Sequence, residues 1–365
     1  MRWKCRVWAY TALVSLSLQT ADAEAADVTV VSWGGDYTIS QQKAYGETWR
    51  KKTGKTVRWV DYNGGLDEIR AQVKSANVLW DVVDVFPAEA RIGCDEGLFE
   101  KLPRDRFTPA PDGTPMDQDL VVPLANDCVA PNIFWSWLIF YDKARYKADA
   151  PSTIADFFNI EKYPGKRGLS AFPQANIEMA LVADGVDPKS VYRVMDTSEG
   201  IDRAFRKLNT IRPVAEFWGS GAEPIKFVKS GAVVMSTAYN GRVSDAILGQ
   251  GAPFGIIWDG QVLDEEWFVI VKGTKRFGDA LAFLVHATES EQLAAQAKWI
   301  TYGPLRRSSL DIIRANEPWY HSGAAILPHM PNRAEVMPRT VVSNPNWWAK
   351  HGAGIGKRYK AWMGG

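Results

Sequence analysis

Three short apolar runs separated by two helix-patterned stretches constrain the start of this chain more than any other feature. Val28 to Ser32 reads as a strand, Thr38 to Lys52 as a helix stopped by Gly54, and Thr56 to Tyr62 as a second strand. Leu66 to Ser75 reads as a second helix and Trp80 to Phe86 as a third strand. This βαβαβ order predicts a parallel sheet with helices on both faces, because parallel neighbours need a crossover and a helix supplies it. Ligands of such sheets bind beyond the carboxyl ends of the strands. Here those ends carry Trp33-Gly34-Gly35-Asp36-Tyr37 and Phe86-Pro87, so topology alone places one wall of a cleft.

The same rhythm returns later. Pro103 to Pro123, rich in Pro, Asp and Gly, reads as a long surface loop before the apolar-aromatic strand Ile133 to Tyr141, where a crossover to a second lobe fits. Helices are expected at Ser152–Phe158, Ala175–Asp184, Ser198–Ile211, Pro224–Lys229 and Arg242–Leu248. Strands are expected at Gly168–Phe172, Val214–Trp218, Ala232–Thr237, Phe254–Trp258 and Trp267–Val271. Two more helices, Gly278–Ala287 and Glu291–Ile300, and a closing helix from Trp347 to Trp362 complete the pattern. About 340 residues beyond a leader exceed what one hydrophobic core usually serves, so two α/β lobes are expected. The expected division gives 26–137 with 265–310 to lobe 1 and 138–264 with 311–365 to lobe 2.

Residues 1–25 have the form of a cleavable secretory signal: Arg2, Lys4 and Arg6, an apolar stretch from Val7 to Leu18, and small-residue cleavage sites around Ala23 and Ala25. The apolar run is shorter than a bilayer span, which argues against a membrane anchor. An exported protein is the expectation. In an oxidising compartment Cys94 and Cys128 can pair, stabilising the fold by roughly 3 to 4 kcal/mol in the chain-entropy model; two buried thiols are the alternative. A net charge of +1 gives no reason to expect nucleic acid as a partner.

A search for catalytic patterns finds little. The chain has no Gly-x-Ser-x-Gly elbow, and its four histidines, His286, His321, His329 and His351, lack metal-ligand spacing. Neither a metal nor a cofactor is expected. Gly352-Ala353-Gly354-Ile355-Gly356-Lys357 resembles a phosphate loop only superficially and reads as a helix interruption. Asp264, Glu265 and Glu266 cluster before the Trp267 strand. Alternation in an extended segment puts Asp264 and Glu266 on one side, although a solvated acidic turn also explains the cluster.

The more specific constellation is Ala238-Tyr239-Asn240-Gly241-Arg242, where a strand ends and a helix begins on the ligand side of the sheet. Arg242 offers a planar fork of donors suited to a carboxylate, and Glu266 offers acceptors suited to an ammonium group. Opposite charges in one cleft suit a zwitterion. The alternative is that Arg242 and Glu266 pair with each other or with neighbours. Many of the 16 tryptophans fall near strand ends, where they either line a pocket or fill the core.

In order and spacing these segments resemble the spermidine/putrescine-type periplasmic solute-binding proteins of ABC importers, a type II, two-lobed class. The likeness covers nearly the whole mature chain. It rests on Trp33-Gly34-Gly35-Asp36-Tyr37, Trp80-Asp81-Val82-Val83-Asp84, Gly93-Cys94-Asp95-Glu96-Gly97-Leu98 with Cys128, and Phe157-Phe158 ahead of Tyr163-Pro164-Gly165-Lys166-Arg167. It continues through Ala183-Asp184-Gly185-Val186, Tyr239-Asn240-Gly241-Arg242 and Tyr302-Gly303-Pro304.

The resemblance implies an α/β fold of two lobes, each a mostly parallel sheet flanked by helices. It also implies a cleft lined by Trp33, Tyr37, Phe86, Tyr239, Glu266 and Tyr302 that closes on an amine-bearing solute. Such a protein, without catalysis of its own, works as a periplasmic monomer that delivers its ligand to inner-membrane permease subunits. Two departures matter. Ala171-Phe172-Pro173-Gln174-Ala175 lacks the acid that polyamine binders carry there, and Arg242 stands where some carry an acid. Both shift the expected ligand from a plain polyamine toward a zwitterion such as 4-aminobutyrate. An exported hydrolase using Asp264 and Glu266, or a protein that presents its ligand to a membrane sensor, are the competing readings.

Overall fold

The computed structural model describes residues 26–146 and 148–364; the leader expected over 1–25 lies outside the described residues. β1 (Val28–Ser32) leads through Gly34 and Gly35, both at positive φ, into a helical run. That run comprises α1 (Gly35–Gln41), a π turn (Gln42–Gly46) and α2 (Glu47–Thr53). It stops where Gly54 turns left-handed and its N–H bonds the Arg50 carbonyl. Such a cap favours glycine because a Cβ would clash with the backbone. β2 (Val57–Asp61), α3 (Asp67–Lys74), β3 (Val82–Val85) and α4 (Pro87–Asp95) complete the unit. β1 pairs in parallel with both β2 and β3, as the strand and helix alternation predicts.

The Pro103 to Pro123 stretch does not lead away to a second lobe. Leu102, Phe107, Met116 and Leu120 share a core with Val28, Val30, Val82 and Phe268, so it roofs the first half of the molecule. The crossing is made by β4 (Val129–Asp142), a strand longer than expected and almost wholly buried. Beyond it come α5 (Ile154–Phe158), β5 (Arg167–Ser170), α6 (Asn176–Ala183), α7 (Val191–Met195) and α8 (Ser198–Asn209). β6 (Ala215–Trp218), α9 (Glu223–Lys229), β7 (Met235–Tyr239) and α10 (Asn240–Leu248) follow.

The return is made by β8 (Phe254–Ile270), which fuses the expected strands at Phe254–Trp258 and Trp267–Val271. The acidic stretch is therefore no turn. Asp264 lies opposite Trp135 and Glu265 opposite Phe134 in the β4 ladder, whose hydrogen bonds satisfy the backbone that a solvated turn would leave to water. The chain closes with α11 (Phe277–Ala287), α12 (Ser290–Gln296), β9 (Gly303–Pro304), α13 (Arg307–Ala315), β10 (Val341–Val342) and α14 (Pro345–Gly364). α14 runs unbroken through Gly352–Lys357, which the sequence suggested as an interruption. Trp347, Trp348 and Tyr359 are buried along it. Their burial offsets a helix cost of about 1 kcal/mol per interior glycine.

All strands join one mixed sheet in the order β2-β1-β3-β8-β4-β7-β5-β6, with β9 on β4 and β10 on β8. The start of β4 pairs with the end of β8, which also borders β3; the end of β4 lies between β8 and β7. The two lobes are thus joined by strands running through both. The segment 311–365, expected wholly in lobe 2, divides. Ile313, Tyr320, Ile326 and Met330 share a core with Val31 and Val83, whereas Trp347, Trp348 and Tyr359 pack with Ile177, Leu181 and Phe205. A disulfide between Cys94, in the last turn of α4, and Cys128, just before β4, ties helix to sheet.

Candidate functional site

Where β1, β3, β7 and β8 present their ends or edges, they enclose a cavity of about 410 Å³. All eight residues singled out from the sequence, Trp33, Tyr37, Phe86, Tyr239, Arg242, Asp264, Glu266 and Tyr302, line it. Trp33 and Phe86 come from the ends of β1 and β3 and stack with ring centroids 4.4 Å apart. Tyr239 ends β7 and meets Trp135 edge-on at 5.1 Å. Tyr37 and Tyr302 face each other at 5.5 Å. These rings form walls that can grip an alkyl chain.

Glu266 is held by donors from the first wall. Its Oε2 accepts from Trp33 Nε1 at 3.0 Å and from Tyr37 Oη at 2.8 Å. Tyr37 Oη in turn accepts from Asn132 Nδ2 at 2.9 Å, and that amide also donates to Asp84 Oδ1 at 2.5 Å. Gln41 Nε2 completes the chain with a 2.7 Å bond to Asp84 Oδ2. Burial raises the carboxyl of Asp84 to about 8. Burial, reinforced by the charge of Asp84, also holds Glu266 well above the usual carboxylate range. A cation beside Glu266 would favour its ionised form.

Arg242 stands on the opposite wall, in the first turn of α10. Asn240 pins that turn: its Oδ1 accepts from Ser136 N at 2.9 Å and its Nδ2 donates to Thr301 O at 2.9 Å. The Arg242 guanidinium donates from Nη2 to the carbonyls of Gly34 at 3.1 Å and Trp33 at 3.4 Å, while its buried Nε has no partner. A Cβ on Gly35 would lie 2.9 Å from Nη1, and one on Gly221 would lie 2.6 Å from Nε. Two glycines therefore make room for this side chain. Arg242 does not pair with Glu266; each is engaged by other groups of the first wall.

Asp264, two residues before Glu266 in β8, faces the same cavity, as strand alternation requires. Burial raises its carboxyl to about 8, with the Glu265 charge adding to the effect. Several lining residues escaped the sequence reading. Trp135 and Trp137 share a face of β4 and stand 4.1 Å apart, a spacing of two that was visible but lay inside a run apolar on both faces. Glu89 lines the rim and accepts from Phe86 N at 3.3 Å and Gly65 N at 2.7 Å; Pro87 at the first position and Glu89 at the third are a helix-start signature. Trp348 arrives from α14, which no local signal connects to the cleft. Gln174 was noted only as the place of a missing acid, yet it lines the cavity too.

Among the described residues no group of three or more His, Cys, Asp or Glu side chains could hold a metal ion, and no helix is long and apolar enough to cross a membrane.

Residues 44–328 match the family model described as bacterial extracellular solute-binding protein. The gamma-aminobutyric acid-binding protein of Pseudomonas aeruginosa is 35% identical over 342 residues, 94% of this chain and 92% of its own. Among solved structures, the PBP MotA from A. tumefaciens B6, in complex with glucopine, is similar with a TM-score of 0.81 at 28% identity, over 92% of this chain and 99% of its own. A GABA receptor gives a TM-score of 0.77 at 28% identity, over 92% and 97%. A spermidine/putrescine substrate-binding protein from Streptococcus pneumoniae, at 15% identity and a TM-score of 0.66 over 92% and 99%, shares the fold alone. With its two-lobed α/β fold, the chain belongs to the bacterial extracellular solute-binding proteins.

Proposed function

We propose that this protein captures a small amino acid bearing both a carboxylate and an amine, of which 4-aminobutyrate is the simplest candidate, and delivers it from the periplasm to an ABC permease. The observation that carries this reading is that Arg242, Asp264 and Glu266 line one cavity without the arginine pairing with either carboxyl. The ligand carboxylate would meet the guanidinium of Arg242 and its ammonium the carboxylate of Glu266. Trp33, Phe86 and Tyr239 would enclose the carbons between, and Tyr37 and Tyr302 would close the side. Relatives named for gamma-aminobutyric acid support the same chemistry. A plain polyamine has no carboxylate to offer Arg242 and would leave that cation in the cavity unpaired. For a hydrolase, Glu266 is poorly disposed, because two donors from the first wall hold the same oxygen.

Calorimetry of the mature protein against 4-aminobutyrate, putrescine, spermidine and the common amino acids tests the proposal. Binding of 4-aminobutyrate well ahead of the polyamines is expected. Tight putrescine binding with no response to any amino acid would overturn it.

A further inference from the structure

The end of the cavity nearest α14 carries a carboxyl that 4-aminobutyrate, with a single ammonium, leaves unused. Asp264 reaches it from β8, and Ser343, just past β10, lines it too. Gln174, at the approach to α6, also lines it, and its Oε1 is buried without a partner. Trp348 closes this end and donates from Nε1 to Glu178 Oε1 at 2.8 Å. Behind it, Glu178 Oε2 is likewise buried and unpartnered, and Glu178 is near enough to act on the charge of Asp264. Arg242 is the sole basic residue among those lining the cavity, and it belongs to the other wall. Asp264, a lining carboxyl with no ion-pair partner among the described residues, makes this end of the cavity complementary to positive charge.

Size and spacing point the same way. A volume of about 410 Å³ falls in the roughly 300 to 1,000 Å³ range of sites that hold larger ligands than 4-aminobutyrate. Asp264 and Glu266, two residues apart on one strand face, are separated by about 7 Å along the strand. An extended four- or five-carbon diamine spans that distance. We infer that the Asp264 end is a subsite for a second cationic nitrogen, so that the preferred ligands are diamino carboxylic acids of the ornithine or lysine kind. This rests on the reading of the cavity as an amine and carboxylate site: Arg242 takes the carboxylate, Glu266 the nearer ammonium and Asp264 the farther one.

The test is calorimetry of the mature protein with 4-aminobutyrate, L-ornithine and L-lysine, repeated on Asp264→Asn and Gln174→Met after thermal melts establish that each variant folds. One charge-assisted contact changes affinity by about tenfold or more. Ornithine or lysine should therefore bind wild type at least about tenfold tighter than 4-aminobutyrate. Asp264→Asn should erase most of that ratio, and Gln174→Met should reduce it by a few-fold. If 4-aminobutyrate binds as tightly as either diamino acid, or if the ratio survives Asp264→Asn, the second subsite is refuted while the zwitterion reading stands. If none of the three binds, both fall. The wild-type ratio alone decides the case should a variant not fold.

Discussion

The two charged ends of the cavity are built in opposite ways. Glu266 accepts from Trp33 and from Tyr37, and Tyr37 leads on through Asn132 to Asp84 and Gln41. Arg242 has only two backbone carbonyls and leaves a buried Nε without an acceptor. An unsatisfied buried donor of this kind costs about 1 to 3 kcal/mol. The negative end is thus held by more side-chain bonds than the positive end, whose cation has no carboxylate partner until a ligand brings one.

Arg242→Ala puts this asymmetry at greatest risk. It should weaken 4-aminobutyrate binding by about a hundredfold and putrescine binding far less, because removing a buried charged donor loses a charge-assisted bond. Equal losses for both ligands in calorimetry would erase the distinction. Glu266→Gln keeps the shape and an acceptor for Trp33 and Tyr37 but removes the charge, so about a tenfold loss for every amine is expected. A larger loss than that of Arg242→Ala for 4-aminobutyrate would invert the comparison. Gly221→Ala places a methyl against the Arg242 Nε and the Tyr239 ring and should cost several-fold in affinity for 4-aminobutyrate. A wild-type titration would show that the guanidinium has room to move aside.

The smallest expected effect is on stability. Asp264 has an ordinary value of 3.8, and burial raises it to about 8 in the fold, so between those values the native state holds a proton that the unfolded chain has lost. Stability from this group is present at acid pH and falls as pH rises toward about 8. Thermal midpoints of the ligand-free protein at pH 5, 6.5 and 8, values chosen to lie roughly within that window, should decline less steeply in Asp264→Asn, by about a few degrees over the range. Parallel pH slopes would mean that the proton resides on its buried neighbours instead.

How much of this was legible differs between the same two walls. The first wall followed from local pattern: strand, Gly-Gly, helix and the return through Phe86-Pro87 are short-range signals, and topology supplied the rest. Arg242 was readable because it opens a helix directly after a strand. The continuity of β8 was not readable, since Asp264, Glu265 and Glu266 are poor strand formers that hold an extended shape through their pairing with Phe134 and Trp135. Trp348 and the divided course of 311–365 depend on packing between segments far apart in sequence, where no periodicity carries information. The glycines of α14 misled for the same reason, because the aromatic anchors that keep the helix intact lie on other layers of the fold.

β4 and β8 have a mechanical consequence. Their ladder loses regular register between Pro131 and Phe134 and again between Trp137 and Ile139, and the stretch so framed carries Trp135 and pairs with Asp264. Two hydrogen-bonded ribbons make the connection between the halves of the sheet. The ribbons that carry Trp135, Asp264 and Glu266 into the cavity are therefore the same ones that tie the halves together, so a substitution on that face bears on the binding surface and on the joint at once.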